Sequence, residues 1–444
     1  MVRQPESIVI IGGGLAGLAA GTRILAGGYD GKLILLEKSP TLGGRTGSID
    51  YRGKKLDLGQ HMHVSGFDFY RKFITQIGLD DKLRTQSRLD VEFRDNDGLT
   101  GRVESNGLPP PFHLLSALYR FPFITFSDKL RLAGPMIPAL LFDYEDNSRD
   151  LSFGEWLRKK GASERSIDKL WNQIIVPTLN APVDEVSLRM GMMILKRVLL
   201  DRQGGRLGRL DAPMGMIGEA AASFIEDRGG EVRTASPVED IRLEKEGEHL
   251  VRLADGSTVK AGVVLSAVPG HGLKNLLSDS ALERFSRPFW HLEWNSIVNI
   301  HMMFAERVME EEFFGYLEGT AGWVFNVSFN GEGAGKHICL TVSDPGELEE
   351  MEPEELVERV RRDLASPLPK IASASLEDSV VLYQPRATFK VSPGSASLRP
   401  PQNPVHEGFF LAGDWTDTGW PSTMEGATRS GYRAAAEVLD SISD

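Results

Sequence analysis

Glycines between a predicted strand and a predicted helix constrain this chain more than any other feature. Residues 7–11 (SIVII) have the pattern of a buried parallel strand, and residues 14–26 have the period of a helix that ends at Gly27. A second buried strand is predicted over residues 33–37. The chain is therefore predicted to open with one strand–helix–strand unit.

Gly12, Gly14 and Gly17 have the G-x-G-x-x-G spacing of a dinucleotide site. The first glycine permits a tight turn, the second the close approach of a pyrophosphate, and the third the packing of helix on strand. The amino terminus of the helix then faces the anion. Glu37 ends the second strand, twenty positions after Gly17, where its carboxylate accepts hydrogen bonds from ribose hydroxyls. A 2′-phosphate would be repelled there, so NADP is disfavoured.

Two segments that follow favour FAD over NAD. Residues 43–48 (GGRTGS) form a second glycine turn, and Arg45 within it is expected beside the flavin pyrophosphate or the edge of the ring. Residues 56–63 (LDLGQHMH) come at the distance where a flavin protein returns its chain toward the ring.

The decisive segment lies near the other end of the chain, at residues 411–431 (LAGDWTDTGWPSTMEGATRSG). Gly413 permits close approach, and Asp414 is expected to accept hydrogen bonds from ribityl hydroxyls. A helix that begins near Met424 directs its positive end to the pyrimidine side of the flavin, where negative charge accumulates on reduction. The site is therefore predicted to be split between the two ends of the chain.

The expected flavin contacts come from all of these segments. They are Gly12, Gly14, Leu15, Ala16, Gly17, Glu37, Lys38, Gly44, Arg45, Gly59, Gln60, His61, Val238, Gly413, Asp414, Met424, Glu425 and Ala427. The FAD is expected to be non-covalent, because the carboxy-terminal turn has no cysteine and Cys339 is far from it in sequence. No metal site is predicted, because the histidines lack the spacing of ligands.

Composition excludes several classes of protein. The chain has 444 residues, enough for two domains, and its net charge of −12 argues against a nucleic-acid partner. A single cysteine allows no internal disulfide, which fits a reducing cytoplasm. The first residues lack the apolar core of a signal peptide, and no apolar run reaches the ~18 residues that span a bilayer. We expect a cytoplasmic protein, soluble or peripheral on the inner face of the cell membrane.

The glycine motif, Glu37, the GGR turn and the carboxy-terminal GDWT…EGA…SG pattern together resemble the flavin amine oxidase and carotenoid desaturase superfamily. Four further segments, LDLGQH, LNAPVDEVS, SIVNIHMMF and QPRATF, resemble its squalene-associated branch, the hydroxysqualene dehydroxylases. Plant-type phytoene desaturases share several of these segments. The resemblance covers essentially the whole chain.

The resemblance implies an α/β fold, with a Rossmann-type FAD-binding domain that is split in sequence and an inserted α+β substrate domain. The predicted FAD-binding segments are residues 1–90, 205–285 and 401–444. The predicted substrate segments are residues 91–204, mainly helical, and residues 286–400, mainly a sheet.

The resemblance also implies a reaction, in which hydride from N5 of reduced flavin replaces the hydroxyl of hydroxysqualene and squalene forms. This reaction requires an acid near the leaving oxygen, which protonates the hydroxyl as it departs. The expected catalytic residues are His61 and Asp417, with His63 and Glu425 as similar candidates, and Arg386 is expected to hold the flavin or orient its loop. The electron donor is not identified.

Other functions stay open at this point. A carotenoid desaturase would oxidise its substrate instead, a flavin-binding protein without turnover would serve as an assembly partner, and an amine oxidase would act on an amine. A long-chain isoprenoid substrate implies an apolar tunnel and a way to meet a membrane. Residues 112–142, apolar with interspersed basic groups, are either that membrane contact or an ordinary cap.

Overall fold

The computed structural model describes residues 7–110, 112–141, 151–201, 205–244, 248–317, 322–327, 333–403 and 406–443. Its strands are β1 Ser7–Ile11, β2 Lys32–Leu36, β3 Ser48–Tyr51, β4 Lys54–Asp57, β5 His63–Val64, β6 Leu83–Thr85, β7 Asp90–Arg94, β8 Thr100–Glu104, β9 Leu207–Leu210, β10 Glu231–Arg233, β11 Val238–Arg242, β12 His249–Leu253, β13 Thr258–Ala261, β14 Val263–Ser266, β15 Trp294–Phe304, β16 Phe313–Tyr316, β17 Trp323–Asn326, β18 His337–Ser343, β19 Leu376–Phe389 and β20 Phe409–Leu411. Its α-helices are α1 Leu15–Ala26, α2 Asp68–Gln76, α3 Leu115–Arg120, α4 Phe126–Arg131, α5 Ala133–Leu141, α6 Phe153–Lys159, α7 Glu164–Ser166, α8 Asn172–Leu179, α9 Leu188–Ile194, α10 Met216–Glu226, α11 Gly270–Leu273, α12 Asp279–Leu282, α13 Pro353–Asp363 and α14 Met424–Ser443.

A five-stranded parallel sheet forms one centre of the fold, in the order β10-β2-β1-β14-β20. Apart from the exposed Lys32 at the start of β2, strands β2, β1, β14 and β20 are mostly apolar and almost completely buried, as expected for a parallel sheet that is covered on both faces. The edge strand β10 is half-buried and carries two charged residues. Helix α1 packs against α14 and α10. A Cβ at Gly431 in α14 would overlap the carbonyl oxygen of Ala16 in α1, so glycine is what lets these two helices come so close. The predicted α/β class is confirmed.

All five strands of this sheet end at the same edge, which brings distant parts of the sequence together. The chain continues there into Gly12 after β1, Glu37 after β2, Ala267 after β14 and Gly413 after β20. In open parallel sheets, ligands bind outside this carboxyl edge. The edge therefore marks where a dinucleotide site belongs.

A seven-stranded sheet forms the second centre, in the order β19-β15-β18-β17-β16-β7-β8. It is antiparallel except for the pair β16–β7. Alternation along β15 gives the sheet two faces. Val298, Ile300 and Met302 pack into a separate apolar core with α13, whereas Ile297 and Asn299 face the large cavity described below.

Helices α3 to α9 fall within residues 91–204, the segment predicted to be mainly helical. Ser152 and Glu155 form a capping box at the start of α6. Helix α14 begins at Met424, as predicted, and β20 precedes the Gly413 turn. Among the described residues, no helix is both long enough and apolar enough to cross a bilayer.

Candidate functional site

One cavity of about 1230 Å³ joins the carboxyl edge of the parallel sheet to the cavity-facing side of the seven-stranded sheet. Pockets for a single small ligand usually measure about 300–1,000 Å³. This cavity therefore has room for a cofactor and for a second, long molecule. The site is described below from the sheet edge outward.

The three glycines of the first turn have three different roles in the structure. Gly12 has a φ of 110°, which only glycine adopts readily, and it makes the tight turn. A Cβ at Gly17 would overlap the carbonyl oxygen of Gly12, so this glycine permits helix α1 to pack on β1. Gly14 has an ordinary φ of −77°, and a Cβ there would meet no atom within 4 Å. Because Gly14 lines the cavity, the protein itself gives no reason for glycine there, and a closely approaching ligand does.

Helix α1 begins directly at this cavity. Its N-cap, Gly14, has no side chain to cap the first turn, and that turn contains no acidic residue. A helix of twelve residues with a free amino terminus favours an anion at that end.

Glu37 is fixed at the end of β2. Its two carboxylate oxygens accept hydrogen bonds from the backbone N–H of Gly13 at 2.6 Å and of Ser39 at 2.8 Å. The side chain is buried yet borders the cavity, beside Lys38 and Val238. Each carboxylate oxygen has further lone pairs, so Glu37 can still accept hydrogen bonds from ribose hydroxyls, which is the role predicted for it.

The second glycine turn touches the first. Gly43 donates its N–H to the carbonyl of Gly13 at 2.8 Å, and Gly44 has a φ of 57°. Arg45 then extends across the cavity and pairs with Asp414 at 2.7 Å. The two ends of the sequence thus meet through this ion pair. Burial opposes ionisation of Asp414, but the charge and hydrogen bonds of Arg45 hold the pKa of its carboxyl below the usual value.

The amino terminus of α14 also borders the cavity, through Met424 and Ala427. Glu425 does not, so its expected flavin contact is wrong. Its carboxylate turns away, accepts the N–H groups of Phe69 at 2.9 Å and Tyr70 at 3.0 Å, and pairs with Arg429. These are first-turn N–H groups of α2, which have no partner within their own helix. Glu425 therefore caps α2 and ties it to α14.

Asp417 is likewise not at the cavity, which contradicts its expected role as the acid. It pairs with Arg287 at 2.8 Å on the far side of the 413–420 loop, where both side chains are about a third exposed. His63 is also outside the cavity lining, and its ring lies 2.9 Å from the hydroxyl of Thr85. Neither residue can reach a substrate in the cavity.

His61 does border the cavity, but its hydrogen bond restricts its chemistry. Its Nε2 lies 3.1 Å from the carbonyl oxygen of Arg45. A carbonyl only accepts, so Nε2 carries the hydrogen and Nδ1 of the neutral ring is an acceptor. Burial lowers the pKa of His61, which keeps the ring neutral. His61 is therefore suited to accept a hydrogen bond or a proton and poorly suited to act as the predicted acid.

Two polar residues that sequence reasoning missed, Asn299 and Thr341, lie near His61 and the predicted Gln60. Asn299 of β15 donates from Nδ2 to the carbonyl of Leu58 at 3.2 Å and accepts from the hydroxyl of Thr341 at 2.9 Å. Gln60 also borders the cavity, and its Nε2 is buried with no partner among the described residues. We call Gln60, His61, Asn299 and Thr341 the polar junction. An asparagine within the apolar run SIVNIHMMF was the available signal.

Beyond the polar junction the cavity wall becomes apolar. We call this part the apolar arm; its lining includes Leu89, Val91, Phe93, Val103, Leu114, Leu118, Phe121, Leu132, Met136, Leu170, Trp171 and Ile174. Arg386, from the QPRATF segment, also borders the cavity near the flavin end, together with His271. The cavity therefore changes from charged to polar to apolar along its course.

The expected flavin contacts gather at one end of this cavity, apart from Gly17, which packs beneath the turn, and Glu425. Residues 15–439 match the family described as flavin containing amine oxidoreductase. The chain belongs to this family. Its members are oxidoreductases that use a flavin, so a flavin cofactor follows from membership. The open space at Gly14, the uncapped α1 terminus and the unpartnered Gln60 amide fit such a group.

Relatives of this family member include enzymes with different reactions. The chain is 27% identical to hydroxysqualene dehydroxylase of Zymomonas mobilis, over 97% of this chain and 98% of that protein. It is 25% identical to 15-cis-phytoene desaturase of Solanum lycopersicum, over 98% of this chain and 78% of that protein. Its fold is similar to that of an oxidoreductase from Methanosarcina mazei, with a TM-score of 0.73 at 18% identity, covering 98% and 100% of the two chains.

Proposed function

We propose that this protein is an FAD-dependent oxidoreductase that removes the hydroxyl of hydroxysqualene to form squalene. The observation that carries the proposal is the order of surfaces in the one cavity. A dinucleotide end, a polar junction and an apolar arm follow one another. A C30 isoprenoid fills an apolar arm, and a buried hydroxyl needs hydrogen-bond partners, which the junction supplies. Phytoene is a hydrocarbon and makes no use of such partners.

The proposed reaction balances with an external reductant. The C–O bond breaks, the hydroxyl takes up a proton and leaves as water, and a hydride forms the new C–H bond. A reduced flavin, when bound, would supply that hydride, and an external two-electron reductant would reduce the flavin again. Because the hydroxyl is allylic, its departure leaves a delocalised cation, which an apolar arm shields from water.

The chain's own residues would bind and orient the FAD. The α1 terminus and Glu37 would hold its adenosine diphosphate half, while Arg45 and Asp414 would hold the middle of the cofactor. Cys339 is fully buried in β18, outside the cavity lining, and burial raises the pKa of its thiol well above the usual value. It is therefore out of reach for a thioether link, which supports non-covalent FAD.

The test is turnover by purified, flavin-loaded protein under anaerobic conditions, with hydroxysqualene and dithionite. Squalene in the product supports the proposal. If no squalene forms and the protein instead desaturates phytoene with a quinone as electron acceptor, the protein is a carotenoid desaturase and the proposal is wrong. The acceptor nitrogen of His61 favours that second candidate, because desaturation removes a proton as well as a hydride. If protein that has taken up FAD forms neither product, the result supports a flavin-binding role without turnover.

Thr341→Val tests the polar junction. Valine keeps the shape and removes the hydroxyl that donates to Asn299. We expect unchanged FAD content and a loss of about tenfold in kcat/KM for hydroxysqualene, from ~1–1.5 kcal/mol for one hydrogen bond. Thr22→Val is the matched control, since that buried hydroxyl lies outside the cavity lining and bonds the carbonyl of Ala19 within its own helix. Equal effects of the two variants would contradict this role.

We also propose that the protein meets a lipid surface beside the apolar arm. Of the eleven large hydrophobic side chains exposed among the described residues, nine lie between residues 108 and 141 and are 47–88% exposed. We call them the apolar patch: Leu108, Phe112, Leu115, Tyr119, Phe126, Leu130, Ile137, Leu140 and Leu141. Leu118 of the same helix as Leu115 and Tyr119 turns inward and lines the arm. Patch and arm are therefore opposite faces of one segment.

Basic groups flank the apolar patch, which favours an anionic membrane as its partner. Arg120 and Arg131 are exposed, and Lys129 is held by the carbonyl of Tyr119. This arrangement supports substrate entry from the bilayer and peripheral location on a cytoplasmic membrane face. The test is flotation with phosphatidylcholine vesicles, with and without phosphatidylserine.

A variant with four patch residues changed to serine should lose at least tenfold in vesicle partitioning. The four residues are Leu115, Phe126, Leu130 and Ile137. The control is Leu99→Ser with Tyr383→Ser, the two exposed hydrophobic residues outside the patch among the described residues. Equal partitioning of both variants would contradict the membrane proposal, and aggregation of wild type without vesicles would point to a protein partner instead.

A further inference from the structure

Arg399 is a buried arginine behind the loop of residues 413–420, and it has no role in the site described above. Arg399 is 2% exposed, and its guanidinium is held by backbone oxygens of residues 414–420. It donates to the carbonyls of Asp414 at 3.0 Å, Trp415 at 3.3 Å, Thr416 at 2.5 Å and Trp420 at 2.7 Å, and to the hydroxyl of Thr418 at 3.3 Å. The Arg399 side chain alone therefore makes hydrogen bonds along the loop from residue 414 to residue 420.

The charge of Arg399 is not cancelled by a direct partner. Among the described residues no carboxylate lies within ion-pair distance of the Arg399 guanidinium. The two carboxylates of the loop have other partners, because Asp414 pairs with Arg45 and Asp417 with Arg287. The guanidinium instead lies over the ring of Phe389, 4.6 Å from its centroid. Burial lowers the pKa of Arg399 to about 10, which still leaves it charged at neutral pH.

The opposite side of the loop faces the cavity. Gly413, Asp414 and Trp415 border the flavin end of the cavity, whereas Arg399 does not. The carbonyl of Arg399 itself accepts from Arg287, and Gln402 donates to the hydroxyl of Thr416 at 2.6 Å, so further bonds brace the loop from behind. Arg399 can therefore act on a flavin only through the loop and through its electric field.

We propose that Arg399 is a positioning residue that shapes the 413–420 loop for the flavin and raises the flavin's reduction potential. The inference rests on the proposed flavin site. A fixed cation in a poorly solvated interior stabilises the negative charge that accumulates on reduction, and its field is weakly screened there. The guanidinium fork supplies donors to four loop carbonyls at once, and no other side chain offers five donors in one plane. The carbonyls of Thr416 and Trp420 also accept from Thr418, so Arg399 adds to the bonds that the loop makes with itself.

Arg399→Lys and Arg399→Gln separate the two effects. Lysine keeps the charge and loses the fork, whereas glutamine loses both. We expect FAD to bind at least tenfold more weakly to each variant, measured by flavin fluorescence. The reduction potential, measured with saturating FAD and a reference dye, should be more negative in Arg399→Gln than in Arg399→Lys. Arg433→Gln is the control, since that exposed arginine donates to the carbonyl of Asp417 in the same loop.

The outcomes are distinct. Equal potentials in the lysine and glutamine variants would overturn the electrostatic part, and wild-type affinity in both would overturn the positioning part. A potential shift in Arg433→Gln as large as that in Arg399→Gln would show that burial of the charge is irrelevant. Wild-type protein that binds no FAD would instead refute the cofactor assignment. No substrate is needed, so failure of the proposed reaction leaves this test intact.

Discussion

Gly14→Ala should abolish tight FAD binding while leaving the fold intact. The added methyl meets no protein atom within 4 Å and occupies the space in front of the α1 amino terminus. The backbone angles of Gly14 suit any residue. At an N-cap, alanine lowers the free energy of unfolding by ~1 kcal/mol relative to glycine. Because alanine restricts the unfolded chain more than glycine does, it also raises that free energy by ~0.4–1 kcal/mol. The free energy of unfolding of the apoprotein should therefore change by less than about 1 kcal/mol.

The loss of affinity follows from the hydrogen bonds that a displaced pyrophosphate gives up. Two bonds from α1 N–H groups to a charged oxygen contribute ~1.5–3 kcal/mol each. Losing both raises the Kd for FAD by a factor of about 10² to 10⁴, at 1.4 kcal/mol per tenfold. The assay is titration of apoprotein with FAD, followed by flavin fluorescence, beside thermal unfolding of the same samples.

Two other glycines frame this experiment. Gly17→Ala should unfold or fail to accumulate, because its methyl would overlap the carbonyl oxygen of Gly12. Gly107→Ala is the matched control: it also meets no atom within 4 Å, but it is exposed and outside the cavity lining. The reasoning is refuted if Gly14→Ala binds FAD as wild type does, or if its apoprotein is as unstable as that of Gly17→Ala.

Three further predictions concern single residues. Asp417→Asn should keep kcat within about threefold of wild type in turnover assays, because its carboxylate faces Arg287; loss of an acid would cost ~10²–10⁴-fold. Burial lowers the pKa of His301 to about 4, so the unfolded chain, with a pKa of ~6.5, takes up the proton first as pH falls. His301 should contribute ~3 kcal/mol to the drop in unfolding free energy between pH 6.5 and 4, so urea titrations of His301→Gln should show a drop that is smaller by that amount. Glu37→Gln should weaken FAD binding about tenfold in a fluorescence titration, since its amide nitrogen would face the N–H of Gly13 or Ser39.

The flavin end could be predicted because its signals are local. A strand, a glycine turn and a helix follow one another within twenty residues. Gly12 adopts a φ that favours glycine, Gly17 has no room for a Cβ, and Gly14 leaves open space beside the cavity. Glu37 was also predictable, because the end of β2 fixes where its side chain lies.

The roles of Glu425 and Asp417 could not be predicted, because their partners are remote in sequence. Glu425 is bound by Phe69 and Tyr70, more than 350 positions away, and Asp417 by Arg287. A carboxylate beside a cofactor motif has the same local sequence whether it faces the cofactor or a neighbouring helix. Asn299 was missed for a different reason. Its importance depends on which face of β15 borders the cavity, and the sequence of the strand does not show this.

The order of strands in the parallel sheet also affects how the chain is made. Strand β20 completes the sheet beside β14, and α14 packs on α1, yet both come from the last 36 residues. During synthesis, β14 therefore has an unpaired edge until β20, more than 140 positions later, has left the ribosome. Such non-local pairing slows folding. A flavin that contacts both segments, as proposed, would then bind only in the last step of folding.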